Sequence, residues 1–151
     1  MTNLSAIYNT RILELAAHIP GARRLEHPDA TAMAHSKLCG STVTVDLKMD
    51  GDRVAEFGQT VKACLLGQAA ASVVGREIVG STAAELREVA AAMRRMLKEN
   101  GPAPAGRWGD LGVLEPVRDY KARHASTLLI FDAVERALSE IEAKRATPAT
   151  A

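Results

Sequence analysis

The sequence has little of what usually announces a function. Aromatic residues make up 3% of its 151 residues, and there are two cysteines. Those two, Cys39 and Cys64, are too few for a disulfide framework, and their separation matches no short ligand pair such as Cys-x-x-Cys. Neither sign of charge dominates, since 19 Lys and Arg stand against 18 Asp and Glu for a net charge of +1. With no basic tract interleaved with aromatics, nucleic acid is excluded as a bulk electrostatic partner. No run approaches the ~18 apolar residues of a membrane span. The opening Met1-Thr2-Asn3-Leu4-Ser5 is not a basic segment leading into an apolar one. The expectation is a cytoplasmic protein that binds neither nucleic acid nor membrane.

What is present is apolar but small. Hydrophobic residues make up 47% of the chain, and 27 residues are alanine. A chain of this length buries roughly 70% of its unfolded surface, enough for one core without staples. Small side chains suit closely packed helices. Residues 1–145 read as a single domain, and 146–151 as a frayed tail.

Leu4, Tyr8, Ile12, Leu15 and Ile19 share one helical stripe that Pro20-Gly21 closes. From Ser41 to Met49 the period becomes two, with Val43, Val45, Leu47 and Met49 on one side and Thr44, Asp46 and Lys48 on the other. Asp50-Gly51 is a hairpin turn signal. Val54 to Lys62 then reads as the returning strand, with Gln59 interrupting a face made by Ala55, Phe57 and Val61. An alanine-rich helix follows Cys64. Thr82 and Glu85 form a capping box for a further helix through Leu86, Val89, Ala90, Met93 and Leu97. The stretch from Asn100 to Gly106 is a loop, and Leu128, Phe131, Val134, Leu138 and Ile141 define a last helix.

The cysteines occupy informative places. Cys39 stands just before the first alternating strand, and Cys64 stands between the second strand and the alanine-rich helix. Counted back from the turn, both fall at the open end of the hairpin, within reach of each other. Cys64 also starts a helix, where unpaired N–H groups and the dipole favour thiolate, the form that binds soft metals and attacks sulfur. Gly40 gives the backbone beside Cys39 its freedom. The competing reading is two small buried hydrophobes, the common fate of free cysteine.

Ser36-Lys37-Leu38-Cys39-Gly40, the hairpin, and the run from Val61 to Ser72 through Ala63-Cys64-Leu65-Leu66-Gly67-Gln68 carry a resemblance. They resemble the first two cysteine motifs of the iron-sulfur cluster assembly scaffold family, which includes IscU, SufU and the N-terminal domain of NifU. The segment between Cys64 and the last helix is similar to the SufU branch. The resemblance implies an α+β fold, an antiparallel sheet of about three strands with helices packed on one face. It further implies a scaffold or carrier rather than an enzyme. Such a protein takes sulfur from a cysteine desulfurase, holds iron or an iron-sulfur cluster, or zinc in the SufU branch, and serves apo iron-sulfur proteins.

Two departures matter. Ser41 stands where the family usually has Asp, and Ser126 stands where it has a third cysteine. A neutral hydroxyl is a poor donor beside thiolate, imidazole or carboxylate. The Leu-Pro-Pro-Val-Lys motif that a specialised chaperone reads in this family is absent from Glu115-Pro116-Val117-Arg118-Asp119-Tyr120. Metal ligands expected from the resemblance are therefore Cys39 and Cys64, with His124 and Ser126 as the remaining candidates. His35 is a weaker one, while Gln68 and Ser72 read as buried polar contacts. A 2Fe-2S centre takes four thiolates, so an all-cysteine cluster requires a homodimer. Two rival readings stay open: a degenerate scaffold that binds or regulates a desulfurase, and a sulfurtransferase carrying a persulfide.

Overall fold

A computed structural model describes residues 9–146. Leu4 and Tyr8 of the expected first stripe, and the tail beyond 146, lie outside the described residues. Helix α1 (Thr10–Ala17) is capped by the Asn9 side chain, which accepts the Ile12 N–H, and it buries Ile12 and Leu15. It ends before Ile19, which packs against the core from the loop.

Three strands form an antiparallel meander in the order β1 (Ala30–His35), β2 (Thr42–Asp50), β3 (Arg53–Lys62). The β2–β3 hairpin turns at Gly51-Asp52, and Gly51 adopts φ 64° there, a conformation that costs glycine little. The return strand does not keep the expected face. Lys48 pairs with Glu56 but Met49 pairs with Val54, so Ala55 is an extra residue in a bulge and is exposed. Past that bulge Phe57, Gln59 and Val61 share the inner face. Gln59 therefore lies within the core face rather than interrupting it, and its amide nitrogen donates to the carbonyls of Pro20 (2.9 Å) and Ala71 (3.0 Å).

Strand β1 lacks the branched residues that mark a strand. Ala30, Ala32 and Ala34 point inward, alternating with exposed Thr31, Met33 and His35. The small inner residues let the last helix lie close against the sheet.

The alanine-rich helix α2 (Leu65–Glu77) and the last helix α4 (His124–Ala146) cover that inner face, and α3 (Ala83–Lys98) packs on α4. Thr82 caps α3 by accepting the Glu85 N–H at 3.1 Å. Between α3 and α4 runs a 3-10 segment, Gly106–Asp119, with Trp108, Leu111, Leu114 and Val117 buried at a spacing of three. That spacing matches the three residues per turn of a 3-10 helix.

The fold is the expected α+β class, a three-stranded antiparallel sheet with helices on one face. No helix among the described residues is long and apolar enough to cross a membrane.

Candidate functional site

Sheet register places both cysteines at one end of the sheet. Thr42 opens β2 and pairs with His35 of β1 on one side and Lys62 of β3 on the other. The chain leaving β1 must therefore turn beside the chain leaving β3. The β1–β2 turn is closed by two backbone bonds, Ser36 N–H to Ser41 carbonyl (2.9 Å) and Gly40 N–H to Ser36 carbonyl (2.9 Å). Cys39 rides this loop and is exposed, while Gly40 takes φ 72°.

Cys64 is half-buried in the N-cap position of α2. Its sulfur makes no capping bond and lies 3.2 Å from the Ser126 hydroxyl in the first turns of α4. The two helices meet closely there because residue 67 is glycine. A Cβ on Gly67 would stand 2.9 Å from both the Ala63 Cβ and the Ser126 carbonyl oxygen. Gln68 secures the entry to α2 by donating to the Ala63 carbonyl at 2.8 Å.

Hydroxyl groups surround the thiols. Ser41 Oγ is 2.9 Å from Cys39 Sγ and Ser36 Oγ is 3.6 Å away. Ser36, Ser41 and Ser126 are all buried. The Ser41 hydroxyl, followed by that of Ser36, holds the Cys39 thiol below its ordinary range, with burial opposing and a smaller contribution from Ser126 in the same direction. Hydrogen bonds donated to a thiolate favour the charged form. Ser126 touches Cys64 and also contributes, as the smallest cause, to holding the Cys39 thiol low, so the two cysteines share this corner of the sheet.

This architecture has close counterparts. The crystal structure of a nitrogen-fixing NifU-like protein (N-terminal) from Brucella abortus superposes with a TM-score of 0.92 at 59% identity, covering 93% of this chain and 98% of that one. The chain belongs to the NifU-like iron-sulfur scaffold family. A SUF-system iron-sulfur cluster assembly scaffold from Fervidobacterium islandicum shares the fold at a TM-score of 0.82 and 22% identity, covering 90% of this chain and 99% of that one. No family model and no curated protein matches the sequence.

As a NifU-like protein, the chain is a divergent member with two cysteines, and its remaining candidate ligands fall in different places. Ser126 is brought to the thiols and Ser41 lies beside Cys39. His124 is not brought there. Its Nε2 faces the carbonyls of Val117 (3.0 Å) and Arg118 (3.1 Å), and residues two apart on a helix do not share a face. Since Ser126 faces Cys64, the His124 ring turns instead to the 3-10 segment. His35 is exposed at the end of β1. Among the described residues no group of three or more His, Cys, Asp or Glu is gathered in a way that could hold a metal ion.

Gln68 and Ser72 make internal polar contacts, Ser72 Oγ donating to the His18 carbonyl at 2.8 Å. Sequence reasoning assigned no role to Ser36 or Gly67. Ser36 stands three residues before Cys39, the separation that a tight turn brings together, whereas the closeness of Gly67 to Ser126 has no local signal.

Proposed function

We propose that this protein is a two-thiol sulfur acceptor that docks on a cysteine desulfurase within iron-sulfur assembly, with Cys39 as the atom that receives sulfur. The observation that carries this reading is that Cys39 is an exposed residue whose sulfur is held 2.9 Å from the Ser41 hydroxyl. An accessible thiol with stabilised thiolate is the nucleophile that attacks a sulfane sulfur. The donor set favours this over a metal centre within one chain. A structural zinc site uses four Cys, His or carboxylate ligands, and a single chain offers two thiolates among neutral hydroxyls. The protein then acts as carrier rather than enzyme, in the cytoplasm, with apo iron-sulfur proteins as eventual recipients.

The test is to incubate the protein with a cysteine desulfurase and L-cysteine and to weigh it intact. The expected result is a gain of one sulfur atom that maps to Cys39 and disappears in Cys39→Ser. An unchanged mass, or a full gain in Cys39→Ser, overturns the reading.

A second reading rests on the exposure of Cys39 beside Leu38, which is 78% exposed. Two copies facing each other at this corner would supply four thiolates to one 2Fe-2S cargo across a self-complementary interface. Anaerobic reconstitution with iron and sulfide, followed by size-exclusion chromatography with iron analysis, tests it. Iron should elute with a dimer only, and iron held by a monomer speaks against it.

A further inference from the structure

The two thiols at this end of the sheet are unequal, and the inequality has a direction. Cys39 is exposed on a loop, and Cys64 is half-buried at the α2–α4 junction. Ser126, itself 2% exposed, lies 3.2 Å from Cys64 at the sheet end that Cys39 shares. We propose that Cys39 is an entry port and Cys64 a sheltered store, with sulfane sulfur passing from Cys39 to Cys64 across Ser126. This rests on the reading of Cys39 as acceptor and adds an internal transfer step to it.

The step balances without an oxidant or reductant. Cys64 Sγ attacks the outer sulfur of a Cys39 persulfide. A bond forms between Cys64 Sγ and that sulfur, the bond from that sulfur to Cys39 Sγ breaks, and the electron pair of the broken bond remains on Cys39. The proton released by the Cys64 thiol is taken by Ser126 Oγ as the Ser126 hydroxyl gives its own to Cys39. The products are a Cys39 thiol and a Cys64 persulfide, with the number of protons and of sulfane sulfurs unchanged.

Three features of the geometry support this direction. A persulfide extends Cys39 by one S–S bond of about 2.05 Å, so it is the outer sulfur that covers part of the way to Cys64. The departing Cys39 sulfur is met by the Ser41 and Ser36 hydroxyls at 2.9 and 3.6 Å, and a thiolate so stabilised leaves faster. Sulfur stored on Cys64 sits between two helices that Gly67 lets approach closely, away from thiols in solution.

The experiment charges the full chain briefly with sodium tetrasulfide, removes the excess, and blocks with an alkylating reagent after increasing delays before peptide mass mapping. In the unmodified protein the added sulfur should appear first on Cys39 and then on Cys64, with loss from one matching gain on the other. In Cys64→Ser it should remain on Cys39 and stay open to removal by cyanide. In Ser126→Ala the passage should slow at least several-fold while charging of Cys39 is kept. Sulfur that stays on Cys39 at all delays overturns the transfer and leaves the acceptor reading intact. So does formation of a Cys39–Cys64 disulfide with release of sulfide. Direct charging of Cys64 in Cys39→Ser at the unmodified rate overturns both, and failure of Cys39 to charge from either tetrasulfide or desulfurase removes the acceptor reading itself.

Discussion

Two polar constellations sit against this sheet, and they differ in how completely their atoms are partnered. On the outer face Asp46 is buried, and both carboxylate oxygens are engaged. Arg24 Nε (2.7 Å) and the Leu25 N–H (3.0 Å) reach one oxygen, while Thr31 Oγ1 (2.5 Å) and a second Arg24 nitrogen (3.2 Å) reach the other. At the sheet end the partners of Cys39 and Cys64 among the described residues are neutral, serine hydroxyls and for Cys39 the Ser41 N–H, and Cys39 is exposed. A buried charge with every acceptor filled pins one chain segment to another and has nothing left to offer a ligand. A thiol held by weak donors keeps its lone pairs for chemistry. The difference separates the residue that secures the α1–β1 connection from the residues that can react.

The largest effect is expected at Asp46. Asp46→Asn replaces an acceptor-only group facing four donors with an amide, and it should cost about 3 kcal/mol of stability by urea denaturation, with sulfur loading of Cys39 unchanged. Its acid dependence follows from the same contacts. Burial pushes the Asp46 pKa up, but the bonds from Arg24, Thr31 and the Leu25 N–H together outweigh it, so the net shift is downward. A folded-state pKa below the ordinary value of about 3.9 means that this contribution is complete above that value and is lost as pH falls through the lower, folded one. Denaturation midpoints measured from neutral to acid pH should fall more steeply in the parent than in Asp46→Asn. Equal slopes would contradict the assignment.

Gly67→Ala probes how far the reactive corner depends on packing. Its new Cβ, 2.9 Å from the Ser126 carbonyl oxygen, should cost about 1–3 kcal/mol and also slow sulfur loading, since it pushes α4 from α2. A loss of stability with no change in loading would separate the corner from the helix contact.

Ser126→Cys adds a third thiolate at the same corner. Zinc affinity, measured anaerobically by competition with a chromophoric chelator, should rise at least about tenfold, or 1.4 kcal/mol. No gain would show that the hydroxyl position is unsuited to metal.

The smallest effect belongs to Ser41→Ala. Removing the main donor to the Cys39 thiolate should slow alkylation at neutral pH by a few-fold and move the pH–rate profile toward the ordinary thiol range near 8.5, while stability changes by less than about 1 kcal/mol.

Much of the fold is legible in local patterns. The Thr42–Asp50 strand shows its alternation openly, and Gly51 marks the turn, so the common location of Cys39 and Cys64 follows from counting along a hairpin. The Thr82 cap and the α3 stripe are equally plain. Strand β1 is not, because its inward residues are three alanines, which carry no strand preference and are selected by the closeness of α4. The 3-10 segment could have been read from the spacing of Trp108, Leu111, Leu114 and Val117, but the neighbouring glycines and Pro116 disguise it. The bulge at Ala55 leaves no mark before the register is known, and it turns Ala55 outward while Val54 goes into the core.

Sequence by itself determined the β2–β3 hairpin and the common end at which Cys39 and Cys64 fall, because these depend on residue type, short-range periodicity and a turn only two residues long, while the α+β class and the place of Ser126 came through the resemblance to the scaffold family. Tertiary structure alone decided which side chains meet. It turned Ser126 toward Cys64 and His124 toward the carbonyls of Val117 and Arg118. Both residues lie within three positions on one helix, and which of them faces the thiols is set by how α4 is rotated against α2 where Gly67 permits contact. That rotation is a property of packing over the whole helix, and no local sequence signal encodes it.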